Sequence, residues 1–111
     1  MYRATTPLHR FIFSEDPSTY QAIVITYAQG KRTILEKTKE DLIFLTEDTT
    51  TGATRYSASV RLTQEETKLF STDYGNTISV QLRAMDAAGH VYASDINLIA
   101  LKDVLNDEVL E

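Results

Sequence analysis

"NTISVQLRAM", residues Asn76 to Met85, decides the fold. Ile78, Val80, Leu82 and Ala84 occupy every second position, with Ser79, Gln81 and Arg83 between them. Side chains of an extended chain alternate between its two faces, so this spacing makes one apolar and one polar face. That is a half-buried strand; a helix would scatter the same four residues around its circumference. "RYSASVRL" (Arg55 to Leu62) repeats the pattern, with Tyr56, Ala58, Val60 and Leu62 inward and Ser57, Ser59 and Arg61 outward. "QAIVITYAQ" (Gln21 to Gln29) is apolar at both parities, which predicts a central strand covered on each side.

The stretches around these three read as strands and hairpins. Pro7 is tolerated at the start of a first strand, "LHRFIF" (Leu8 to Phe13). Gly30 supplies a turn after "QAIVITYAQ", and Thr33 to Lys37 returns as a strand. "DLIFLTED" runs into the Thr-rich turn Thr49 to Gly52 and pairs with Arg55 to Leu62. "MDAAGHVY" is a third hairpin, with Gly89 expected at positive φ. Beyond it the parity changes: Val91 and Ala93 share a face, but Ile96 and Leu98 fall on the other. A bulge near Ser94–Asp95, or a strand that changes sheets, reconciles the two. One helix is expected at 63–70, where Thr63 and Glu66 fit a capping box and Leu69 and Phe70 fold back to close the bottom of the core. The fold class is therefore all-β. About seven closely spaced strands, with fifteen threonines and many Val, Ile and Tyr, match an Ig-like or fibronectin-like antiparallel β-sandwich.

At 111 residues the chain makes one domain with a core that needs no staples. It divides into a β domain at 1–101 and an acidic-aliphatic arm at 102–111. No cysteine is present, which excludes disulfides, thiol nucleophiles and cysteine-ligated metals. Of the net charge of -5, the arm carries -3, and no basic stripe offers a footprint for phosphate backbones. Nucleic acid is accordingly not an expected partner. The start "MYRATTPLHR" lacks the apolar run of a signal peptide, and no apolar stretch is long enough to span a bilayer, so neither secretion nor a membrane partner is expected.

Candidate chemistry is sparse. Glu65 and Glu66 are adjacent on the expected helix and diverge by about 100°, so they do not converge on one bond, and capping accounts for both. His9 and His90 lie far apart without metal-ligand spacing. "SEDPS" (14–18) and "TEDTTTG" (46–52) offer hard oxygen ligands but not the alternating pattern of a calcium loop. No Ser sits in a nucleophile motif, and the four glycines are too dispersed to cradle a phosphate. The expectation is no catalytic residue, no metal and no cofactor.

Contact residues are better motivated. Val104, Leu105, Val109 and Leu110 are aliphatics in an acidic tail, where unburied apolar side chains contribute nothing alone. Counted from Leu101, Val104, Leu105 and Val109 form a helical stripe, but ten residues of helix are marginal alone. The arm is therefore expected to be disordered in the free protein or docked in a groove of a neighbouring subunit, with packing on its own domain as the alternative. Tyr2, Tyr74 and Tyr92 are candidate anchors outside the core pattern.

Four stretches also resemble, across His9 to Leu110, a family of small proteins encoded by phages and prophages of Gram-positive bacteria: "VITYAQGKRTILEKTKEDL", "LTQEETKLF", "SVQLRAMDAAGHVYASDI" and "KDVLNDEVL". The hairpin "TEDTTTGATRY" departs from the family's tighter connection. The resemblance implies a non-enzymatic structural or assembly protein of a head or tail. It would bind other copies of itself as a homo-oligomer, or other virion proteins, in the host cytoplasm and then in the virion. The alternative is a carbohydrate- or host-surface-binding module, which requires exposed tyrosines clustered at one end beside the loop at 46–56.

Overall fold

Apolar rows that alternate along several strands can be buried together only if sheets lie face to face. The computed structural model describes residues 1–111 and contains two antiparallel sheets that share one hydrophobic core. The smaller sheet has the order β1 (Leu8–Phe13), β5 (Thr54–Arg61), β4 (Ile43–Asp48). The larger runs β3 (Arg32–Thr38), β2 (Ala22–Gln29), β6 (Thr77–Met85), with β7 (Val91–Ala93) and β8 (Asn97–Ala100) sharing the far edge of β6.

The alternation in β6 is real: Ile78, Val80, Leu82 and Ala84 are buried, and the intervening residues are not. Beside them in the same sheet lie Ile23, Ile25 and Tyr27 of β2, and in the other sheet Ala58 and Val60 of β5 complete the core. The parity change after β7 is a register shift. Arg83 pairs with Ala93 but Val80 with Asn97, so one extra residue is accommodated between β7 and β8. This bulge splits the expected last strand in two, which gives eight strands rather than seven.

Four expectations are corrected. β2 is central, paired with β3 and β6, yet only one face is buried; its outer residues Ala22, Val24, Thr26 and Ala28 are half-buried, because no layer covers that face of the sheet. Ser57 faces outward but is 1% exposed, since it lies in register between Ile12 and Leu45, and the Arg10–Glu47 ion pair joins the two flanking strands above it. The helix, α1, spans only Gln64–Lys68, and only Phe70 closes the core; Leu69 sits at the helix C-cap and points out. The arm forms no helix; its backbone is held to the body of the protein at Lys102 and at Leu110.

The capping box of α1 is as expected: Thr63 Oγ1 accepts from the Glu66 amide at 3.1 Å and Glu66 Oε1 from the Thr63 amide at 2.9 Å. Gly30 (φ +60°) opens the two-residue turn between Gln29 and Arg32, and Gly89 (φ +89°) sits in the β6–β7 hairpin. Both need the left-handed backbone that glycine adopts without a steric penalty.

Gln29 anchors the lower corner. It is 3% exposed; its Nε2 donates to the Ser71 carbonyl at 2.8 Å and its Oε1 accepts from the Ser71 amide at 3.0 Å. The side chain thus completes, for the loop after α1, the hydrogen bonds that a strand neighbour would provide. Gln29→Leu keeps the volume but leaves the Ser71 amide without a partner, while the Ser71 carbonyl keeps only the Tyr74 amide. It should lower unfolding free energy by about 1–3 kcal/mol, measured as a shift in the urea midpoint without change of slope.

Candidate interaction surface

Several titratable groups hold turns and helix ends in place. Glu66 caps α1 and pairs with Lys37 of β3. Burial pushes its carboxyl up, but the hydrogen bonds from Lys37 and the Thr63 amide outweigh this and hold it below the usual carboxylate range. Asp86 organises the β6–β7 hairpin by accepting from the amides of Ala88 (3.0 Å) and His90 (2.9 Å), which holds its carboxyl low. Asp16 accepts from the amide and hydroxyl of Ser18, so "SEDPS" is a capped 3₁₀ turn. In the loop Thr49 to Ala53, the Thr49 hydroxyl bonds to the Ala53 carbonyl at 2.8 Å. No group of three or more His, Asp or Glu side chains lies close enough to hold a metal ion. No helix is long and apolar enough to cross a membrane.

His9 belongs to the core side of β1. Its Nδ1 lies 2.7 Å from the hydroxyl of the fully buried Tyr27. Burial, and next the N-terminal charge, lower the imidazole pKa. Burial, and next the Glu66 charge, raise that of the phenol. The phenol keeps its proton, so it can donate to a neutral imidazole. His9 lines a small opening between β1 and β8, beside a larger one. β1 pairs only with β5, and β7 and β8 only with β6, so one side of the two-sheet body has no bridging strand. A cleft of about 390 Å³ lies there, walled by Phe11, Phe13, Tyr20, Leu82 and Tyr92.

The three candidate tyrosines do not come together. Tyr2 and Tyr74 lie toward the start of β6: Tyr2 bridges to Lys102, just past β8, and Tyr74 lies three residues before Thr77. Each also stacks under a cation, Lys102 at 5.4 Å and Arg32 at 5.1 Å. Tyr92 pairs with Ala84 toward the other end of β6 and walls the cleft. The loop Thr49 to Ala53 shares that end with Phe13, away from Tyr2 and Tyr74.

The arm runs along its own domain with neither helix nor strand beyond Lys102, and bends at Leu105. Arg3 Nη1 lies 3.2 Å from both Asp103 and Asp107, while its Nε donates to the Phe70 carbonyl at 2.7 Å and its Nη2 to the Lys68 carbonyl at 3.2 Å. Gln64 brackets the far end, accepting from the Leu110 amide at 2.7 Å and donating to its carbonyl at 2.9 Å. Polar contacts therefore hold the arm. Val104 and Val109 are half-buried, Leu105 is fully exposed and Leu110 is 79% exposed.

A second exposed apolar surface was not anticipated from sequence. On the outer face of the smaller sheet, Leu8 and Ile12 of β1 and Ile43 and Leu45 of β4 all stand exposed. The pairs Ile12–Ser57–Leu45 and Arg10–Ser59–Ile43 place two serines between them, so the face is a trough with apolar walls. A signal was available: "LHRFIF" and "DLIFL" are apolar at both parities, which in a two-layer protein leaves one set outside. Comparison with known protein families, with curated proteins and with solved structures found no match.

Two outcomes are expected. His9 titrates lower in the folded than in the unfolded protein. Stability is therefore full above the unfolded value of about 6.5 and is lost as pH falls through the lowered folded value. His9→Gln keeps an acceptor for Tyr27 without titrating, so urea unfolding should show a smaller loss between neutral and mildly acidic pH than in wild type. Arg3→Ala should release the arm, seen as faster amide exchange at residues 103–110 while exchange in β2 and β6 is unchanged.

Proposed function

We propose that this protein is a non-enzymatic structural or assembly component of a phage or prophage, working through contacts with other copies of itself or with other virion proteins. The carrying observation is the amount of apolar surface a single copy leaves in water. Thirteen large apolar or aromatic side chains are exposed, and four of them form one sheet face. The accessible area of 7253 Å² exceeds the roughly 6,200 Å² usual for a monomer of 12.5 kDa. Contiguous exposed apolar patches mark interaction sites, and an association that buries this face would recover the lost hydrophobic stabilisation.

Support for an immunoglobulin-like sandwich comes from the connectivity. The chain crosses between sheets after β1, β3 and β5, and each sheet collects strands that are not consecutive. Support for the virion setting comes from the resemblance of the four stretches quoted above. The alternative, a module that binds carbohydrate or a host surface, needs a tyrosine cluster beside the long hairpin, and Tyr2 and Tyr74 lie away from that hairpin.

Light scattering over a concentration series tests the reading. A mass above 12.5 kDa that rises with concentration is the expected result. A monomer throughout would remove self-association, and a monomer that binds immobilised glycans would establish the alternative.

A further inference from the structure

Resting on that reading, we propose that copies join head to tail: Leu105 and Leu110 on the docked arm of one copy seat in the trough on the outer face of the smaller sheet of the next. The two surfaces match in polarity and charge. Ser57 and Ser59 lie low between the aliphatic side chains of β1 and β4, which close over Ser57 and form the contact surface. The arm presents Leu105 and Leu110, both exposed, to such a face.

Charge selects the partner. In a protein of net charge -5, the trough face carries Arg10, Arg55 and Arg61 against Glu47 alone. Glu47 is taken by Arg10, while Arg55 and Arg61 have no acidic partner in their own chain. On the arm, Asp103 and Asp107 are taken by Arg3, and Glu108 and Glu111 are left without a basic partner. Each copy thus shows an apolar strip flanked by spare acids and an apolar trough flanked by spare arginines. Arg3 and Gln64 keep the strip at the α1 corner of its own domain. A contact between two unlike surfaces is heterologous, so it propagates into a ring or a filament instead of stopping at a symmetric dimer.

The test uses two variants altered only at exposed positions, each checked for an unchanged circular dichroism spectrum and melting temperature. The trough variant carries Ile43→Thr, Leu45→Thr and Arg55→Ser; threonine keeps the strand preference of β4. The arm variant carries Leu105→Ser and Leu110→Ser. Each alone should be monomeric by light scattering. Mixed in equal amounts, they should form a species of twice the monomer mass and nothing larger, because one intact arm meets one intact trough and both free ends are blocked. Raising sodium chloride should dissociate that species. If both variants keep the wild-type oligomer, the contact lies elsewhere and this inference fails while the assembly reading stands. If both are monomeric but the mixture does not pair, a head-to-tail contact is excluded. If wild type is itself monomeric at every concentration and salt, the inference and self-association fall together.

Discussion

Tyr27 is the side chain on which the two sheets and the helical corner converge. It is fully buried, stands on the central strand β2 and meets Phe70, also fully buried, edge to face with ring centroids 6.2 Å apart. A buried phenol must find a partner for its hydroxyl, and that partner is His9 on β1 of the opposite sheet. One residue thereby joins the larger sheet, the smaller sheet and the chain just beyond α1. Truncating an aromatic in such a position costs about 3–5 kcal/mol, and here it would also leave the imidazole without its partner. The depressed imidazole and the raised phenol are consequences of the same burial.

The rest of the corner follows from polar groups that burial leaves in need of partners. Gln29 stands one turn of the strand alternation beyond Tyr27 and spends its amide on Ser71. Thr67, the one buried residue of α1, accepts from the Thr5 amide at 3.2 Å and so fastens the helix to the segment that enters β1. Lys37 reaches from β3 to Glu66. These contacts explain how a five-residue helix, far below the length that is stable alone, keeps a fixed place.

The chain ends complete the larger sheet. The Met1 carbonyl accepts from the Lys102 amide at 2.8 Å and the Arg3 amide donates to the Lys102 carbonyl at 3.0 Å, so the first residues run parallel to the segment beyond β8. Arg3 then serves four groups at once: the carbonyls of Lys68 and Phe70, Asp103 and Asp107. The mixed composition of the last ten residues has a physical account here. Two of its acids hold the arm down, its half-buried valines lie against the domain, and the leucines between them remain on display. The same division runs through the smaller sheet, where three strands have one face in the core and the other in water, yet both faces carry aliphatic side chains.

Local patterning alone determined the strands, the hairpins, the capping box and the bulge after Ala93, because each depends on residues within a few positions of one another. The alternation in β6 and the Thr63–Glu66 box are of this kind. Only the tertiary structure decided which sheet each strand joined, that Ser57 is buried, that β2 is open on its outer face and that Leu69 points away. Those outcomes depend on what lies across a sheet or above a face, and no spacing along the chain encodes it. The arm shows the limit most plainly. Its apolar spacing suits a helix, but an arginine about a hundred residues earlier takes two of its carboxylates and a glutamine on α1 takes the Leu110 backbone, and those fixed points lie outside the arm itself.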